Sequence, residues 1–258
     1  MRSDKILQKD DAEIAGEMKK ILEGDGIQFL DNTTVQEFKR ENSRTIVHYS
    51  RNGSDNELVV DAVVVAIGRK PNIEGLYLEN AGVEYKKEGI VVNDELKTTA
   101  DNIYACGDVI GKYLFTQAAS YYARTAVNNI MNTEKLTISR SVMPWVIFTD
   151  PELAHVGCTE DEAREKFGNV HILRIDTVFG RFRTENSPKV FLKIILTGDD
   201  TIVGAHALGA HAGEYIQDLT LAMQDHITVK QFAETIYPYP TFSEIVKKAF
   251  SRYLRTKQ

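Results

Sequence analysis

The sequence predicts two regions of different build, an α/β region over residues 1–137 and an α+β domain with an antiparallel sheet over residues 138–258. Three observations carry this. The run Ala62-Val-Val-Val-Ala-Ile67 is continuously apolar and largely β-branched, as suits a strand buried on both faces. From Val142 onward, β-rich segments at hairpin spacing are mixed with separate helical stretches, the pattern of an α+β domain. The chain has 258 residues, 43% of them apolar, enough for two domains at roughly 100–200 residues each.

The elements follow in order. Ile14, Met18, Ile21 and Leu22 share one face of a helix over Asp11 to Glu23, with Asp10 or Asp11 as its cap. Gly24 and Gly26 stop it, and Ile27 to Leu30 reads as a short strand. Thr45 to Ser50 and Glu57 to Ile67 are the arms of a hairpin with Asn52-Gly53 near its tip. Gly68-Arg-Lys-Pro-Asn72 breaks the pattern. A loop-rich stretch follows, with short strands at Ile90 to Val92 and Asn102 to Ala105, then a helix over Thr116 to Met131. Thr137-Ile-Ser-Arg-Ser141 reads as a linker and places a boundary near residue 138. Beyond it, strands are expected at Trp145 to Phe148, His171 to Asp176, Phe191 to Leu196 and Ile202 to Leu208. Helices are expected at Thr159 to Phe167, Ala212 to Gln224 and Thr228 to Glu234.

Composition excludes several classes. Net charge is −6, from 31 basic against 37 acidic residues, which gives no general pull toward nucleic acid or an anionic membrane. The longest apolar runs fall far short of the ~20 residues of a membrane span. The charged start, Met1-Arg-Ser-Asp-Lys5, has no apolar region behind it and shows no secretory signal. Two cysteines, Cys106 and Cys158, form no framework, so a cytoplasmic location is expected. His206 and His211 lack acidic or cysteine partners at ligand spacing, and no metal site is expected.

The segment Thr98-Thr-Ala-Asp-Asn-Ile-Tyr-Ala-Cys-Gly-Asp108 carries a short apolar strand into Gly107-Asp108. A glycine there lets backbone approach a ligand, and Asp108 offers a carboxylate to a ligand hydroxyl such as a sugar or ribitol. An ordinary turn after a strand is the plainer alternative. The apolar run ending in Gly68 lies upstream, and Leu114-Phe-Thr-Gln-Ala-Ala119 opens a helix just downstream.

These three elements, in this order, resemble the flavin disulfide reductases: glutathione reductase, dihydrolipoamide dehydrogenase and mercuric reductase. Further on, Phe148-Thr-Asp-Pro-Glu-Leu-Ala-His-Val-Gly157, Gly204-Ala-His-Ala-Leu-Gly209 and Pro240-Thr-Phe-Ser-Glu244 resemble the family's interface domain. The resemblance covers nearly the whole chain. It implies a partial FAD- and NAD(P)-binding Rossmann-like region over 1–137 and an interface, or dimerisation, domain over 138–258. It further implies that Gly107 and Asp108 bind the flavin's ribityl or phosphate side. Leu114, Phe115, Thr116 and Gln117 would set backbone N–H groups at a helix start near the flavin pyrimidine ring, and Gly68 would lie where the nicotinamide nucleotide passes.

The family's two Gly-rich fingerprints and its redox cysteine pair have no counterpart here: the sequence has no GxGxxG and no C-x4-C. The resemblance is therefore to the C-terminal half or so of such a protein. It implies an NAD(P)H-dependent FAD oxidoreductase passing electrons to a disulfide or a metal ion, with this portion alone inactive and its FAD binding lost or very weak. A non-catalytic dimerisation or scaffold fragment is the alternative. A homodimer is implied, with Trp145, Phe148, Phe242 and Phe250 needing burial somewhere, and neither nucleic acid nor membrane as partner.

At the catalytic end the chain departs from glutathione reductase. Tyr239 stands where that branch has its acid–base histidine, and Glu244 where the histidine's orienting carboxylate stands. Tyr237-Pro-Tyr239 resembles mercuric reductases, but the C-terminal cysteine pair usual among those enzymes is not found in Arg255-Thr-Lys-Gln258. A phenol with an ordinary pKa of about 10 is a poor base at neutral pH. Tyr239 is read either as a hydrogen-bond donor or metal-contacting group at the acceptor, and not a general base, or as an aromatic packed at a domain edge. The cations Lys247, Lys248, Arg252, Arg255 and Lys257 read as the solvated face and end of a C-terminal helix.

Overall fold

The structure, a computed structural model, describes residues 5–138, 142–187 and 189–257. The chain divides into two compact units, residues 1–64 with 144–258, and residues 65–143.

The first unit opens with helix α1 (Ala12–Gly24). Its cap is Asp11, whose Oδ1 accepts from the Glu13 amide at 3.1 Å. No strand forms at Ile27 to Leu30. An antiparallel meander follows: β1 (Thr33–Glu41), β2 (Arg44–Arg51) and β3 (Ser54–Val60). The β2–β3 turn sits at Asn52-Gly53, as expected, and both residues take positive φ, 52° and 81°. β1 was hidden in the sequence because its charged residues leave both faces exposed and erase the alternation that marks a strand.

The run Ala62 to Ile67, expected as a strand buried on both faces, spans the division between the units and belongs to no strand. Val64 is 89% and Ile67 95% exposed. A strand of that type needs a paired neighbour on each side and cover on both faces, and no described residue supplies a pairing. A two-residue ladder, β4 (Tyr85–Lys86) with β5 (Gly89–Ile90), stands near the expected strand at Ile90 to Val92. The strand expected at Asn102 to Ala105 is reduced to one bridge, Lys97 with Tyr104. Helix α2 (Thr116–Met131) has the bounds its sequence predicts. Ala118, Tyr122 and Ala126 on it pack with Leu96, Ile138 and Met143. Part of the linker expected over residues 137–141 lies outside the described residues.

The rest of the first unit is a five-stranded antiparallel sheet. Its strands are β6 (Trp145–Ile147), β7 (Glu152–Gly157), β8 (Val170–Ile175), β9 (Phe191–Thr197) and β10 (Ile202–Gly209), in the order β6-β7-β10-β9-β8. Between them lie α3 (Glu160–Phe167) and α4 (Gly180–Thr184). After them come α5 (Ala212–Gln224), α6 (Val229–Glu234) and α7 (Glu244–Thr256). The antiparallel α+β build is the one expected.

The central strands β9 and β10 are almost wholly buried. Ile14, Ala15 and Met18 of α1 pack against Leu153, Phe191 and Leu208. α5 packs on β7 and β10, and α7 on β8 and β9. Of the four aromatics expected to need burial, one is buried and two are half-buried inside the unit. Phe250 is fully buried, Phe242 lies edge-on to Phe182, and Trp145 stacks on His155 with ring centroids 3.6 Å apart. Phe148 alone remains outside, 84% exposed.

Candidate functional site

Within residues 65–143, the expected cofactor residues gather around the start of α2. Gly107 opens a single tight turn, Gly107–Ile110, at φ 79°. A Cβ there would lie 3.3 Å from the Ala119 side chain, so a glycine lets this turn sit against the helix. Asp108 is exposed beside it, and its carbonyl accepts from the Gly111 amide at 3.0 Å.

The helix start is preceded by Leu114, whose carbonyl accepts from Arg69 Nη1 at 2.9 Å. That bond ties the Gly68-Arg69 segment to the beginning of α2. Phe115 is the N-cap, in extended conformation and without a side-chain cap bond, and its ring joins the core under α2. Thr116 and Gln117 form the exposed first turn. The N-terminus of a helix of this length favours negative charge. Gly68 lies in the exposed run at φ 137° and does not end a buried strand.

In the other unit, the segment Tyr237 to Glu244 joins α6 to α7. The Tyr239-Pro240 bond is cis. Glu244 is the first residue of α7, and its Oε2 reaches back to accept from the Thr241 amide at 3.1 Å. That bond closes the turn that aims the segment. The two tyrosines part ways. Tyr239 is 80% exposed. Tyr237 turns inward to Asp218 of α5, and its phenol is pushed well above the usual tyrosine range by burial and by that carboxylate. Burial in turn raises the Asp218 carboxyl, against the hydrogen bonds of Ser243 and Tyr237. Asp218 was missed in the sequence, where it is one polar residue on an amphipathic helix.

A second constellation also went unread. Asp10, Asp11, His155, His206 and Lys193 are all buried in the core of the first unit. Trp145 Nε1 donates to Asp10 Oδ1 at 2.9 Å. The edge of one imidazole meets the other, His155 and His206 having centroids 4.6 Å apart. Each Nε2 lies against a carbonyl, His155 on Gly157 at 2.9 Å and His206 on Cys158 at 3.0 Å. A carbonyl only accepts, so both histidines carry their proton on Nε2. Burial lowers the His155 pKa well below 6.5 and holds that of His206 at about 4. The signal in the sequence was Lys193, a lone cation inside the apolar run Phe191 to Leu196. Among the described residues no cluster of three or more histidine, cysteine and carboxylate side chains is placed to hold a metal ion. Burial and Glu162 raise the Cys158 thiol, so it is not an activated nucleophile.

Comparison with known proteins matches two family models. Residues 1–125 match a model described as pyridine nucleotide-disulphide oxidoreductase, and residues 143–250 match the dimerisation domain of the same family. The chain is 32% identical over 251 residues to a mercuric reductase of Staphylococcus aureus, covering 96% of this chain and 46% of that protein. It is 34% identical over 249 residues to a dihydrolipoyl dehydrogenase of Thermus scotoductus, covering 95% and 54%. Among solved structures it resembles the Cu(II) complex of the HOCl-induced flavoprotein disulfide reductase RclA from Escherichia coli. That match has a TM-score of 0.88 and 29% identity, over 97% of this chain and 57% of the other. The chain spans about half the length of the curated relatives it matches.

Proposed function

Because the chain belongs to the pyridine nucleotide-disulphide oxidoreductases, we propose that it supplies one side of the flavin site and the dimerisation domain of an NAD(P)H-dependent FAD oxidoreductase. The observation that carries this is the packing of the Gly107 turn on a helix whose start, Leu114 to Gln117, is pinned by Arg69 and uncapped by any side chain. Those residues fit a flavin edge: a close backbone approach, a carboxylate for a hydroxyl, and helix-start N–H groups where negative charge is stabilised. When bound, the flavin would take a hydride from NAD(P)H and hold the electron pair for the acceptor. Asp108 would accept from a ribityl hydroxyl. Gly68 would lie along the nicotinamide passage.

On the acceptor side, Tyr239 would donate a hydrogen bond or contact a metal ion. Glu244 would hold the segment's bend through Thr241. The acceptor is a disulfide or a metal ion, and the assembly a homodimer. Use of two cysteines without a disulfide supports a cytoplasmic setting. No helix among the described residues is long and apolar enough to cross a membrane.

Reading the gene upstream of Met1 and assaying its full product tests the reading. A GxGxxG strand–turn–helix, a C-x4-C pair and a flavin spectrum bleached by NAD(P)H are expected. A full product without flavin and without NAD(P)H oxidation would leave a dimerisation or scaffold protein.

A further inference from the structure

The cations of α7 gather on one side of the helix. Ile245, Val246, Ala249 and Phe250 bury one side of the helix. On the other side Lys247, Lys248, Arg252 and Arg255 line one open groove of about 620 Å³. The i,i+4 and i,i+3 steps between them stack like charges on neighbouring turns, where they repel. The chain has an excess of carboxylates, 37 against 31 basic residues. Many of its cations are paired, Lys257 of the same helix with Asp200 among them. Yet none of these four has a carboxylate within ion-pair distance among the described residues. The one carboxylate lining the groove, Glu244, is engaged by the Thr241 amide.

The groove has a wall as well as charge. Phe179 forms one side, with Lys248 Nζ 3.5 Å from its ring centroid, and Ser251 sets a hydroxyl among the cations. We propose that this groove binds a small anion carrying a diphosphate. Two guanidinium forks suit phosphate oxygens bidentately, and two ammonium groups add point charge. The span from Lys247 to Arg255 is roughly 12 Å of helix. A diphosphate offers two charged centres and engages more of these four cations at once than a single phosphate does. The volume matches that of ordinary small-molecule sites. The proposal needs no flavin and no turnover, and so stands apart from the oxidoreductase reading.

Calorimetric titration of the purified chain with pyrophosphate and with ADP, at low and matched ionic strength, tests it. Saturable one-to-one binding is expected, weakened at least tenfold in Arg252→Ala and in Arg255→Ala. Both side chains are exposed, so folding is expected to persist and circular dichroism checks it. Arg252→Lys should recover part of the loss. Lys230→Ala, a cation outside the groove, should bind as the parent does. ADP binding more tightly than pyrophosphate would place its base on Phe179, and Phe179→Leu should then remove the difference. Equal affinity would assign the anion alone. No binding of either probe would overturn the proposal, as would equal weakening by Lys230→Ala, which would mark diffuse charge attraction.

Discussion

Lys193 Nζ, on β9, donates to both carboxylate oxygens of Asp11, at 2.9 and 3.0 Å, across 182 residues of sequence. Glu13 and Glu160 complete the charge at 3.0 and 2.6 Å, and Asp11 Oδ2 also accepts from the Glu160 amide at 3.0 Å. The starts of α1 and α3 are thereby fastened to the same point of the sheet. Burial alone would raise the Asp11 carboxyl, but the Lys193 hydrogen bond and the Glu160 amide outweigh it and hold its pKa at about 2. Its contribution to stability is therefore present above its ordinary pKa of 3.8 and lost as pH falls through about 2.

Removing Lys193 leaves the buried Asp11 carboxylate without its cation, while Glu13 keeps Arg174 and Glu160 keeps Arg164 and Arg174. Lys193→Met is expected to cost about 3–5 kcal/mol, the range for breaking a buried pair. Arg174→Ala, which breaks a half-exposed pair with Glu13, should cost under about 1 kcal/mol. Urea unfolding measures both; equal small losses would show that the buried lysine is not holding the junction.

The two buried histidines give an acid limb of another kind. Both are neutral in the folded protein and charge more readily once unfolded, because burial lowers their folded pKa values. Stability should therefore be full above pH 6.5 and decline below it. For His206 the decline levels off near pH 4, after a loss of up to about 3 kcal/mol. His206→Gln can keep the donor to the Cys158 carbonyl without titrating. Unfolding midpoints at pH 7.5 and pH 5 should lie closer together in that variant than in the parent, and an unchanged gap would contradict the assignment.

Association should depend on Phe148, the one exposed member of the four aromatics. Light scattering at tens of micromolar is expected to give a dimer mass for the chain. Phe148→Glu should shift it toward monomer, with circular dichroism unchanged because the side chain is 84% exposed. A monomer mass for the parent would refute the homodimer.

Flavin should not stay with this chain alone. The residues around α2 offer one edge of a site, and the apolar run that ends at Gly68 lies open to solvent. Gel filtration after mixing with FAD should return colourless protein, while stoichiometric yellow protein would show that one side suffices.

Tyr239 should act after flavin reduction. In the full-length protein, Tyr239→Phe is expected to leave the NAD(P)H-to-flavin step within about twofold, since loss of one hydrogen bond matters only where it is made. Turnover with a disulfide or metal acceptor should fall. Tyr237→Phe should instead lower stability by about 1 kcal/mol, because it abandons the half-buried Asp218. Stopped-flow traces with slowed flavin reduction and intact acceptor turnover would reverse the Tyr239 assignment.

By itself the sequence determined what local pattern can specify. Helices α1, α2 and α5, the Asn52-Gly53 turn and the strands β8, β9 and β10 follow from periodicity, capping and turn chemistry, all set within a few residues. The family's motifs are short and ordered, so the family too was legible, and the cofactor residues and the Tyr239–Glu244 pair are proposed from those motifs. Only the tertiary structure decided which polar groups are buried, because burial depends on what arrives from far along the chain. Asp11 reads as a simple cap until Lys193 meets it, and Tyr237 looks equivalent to Tyr239 until Asp218 claims one of them. The same physics explains the clearest miss. Ala62 to Ile67 has the composition of a central strand, but composition sets only the capacity to be buried. Pairing partners and cover must come from elsewhere, and among the described residues no strand pairs with this run.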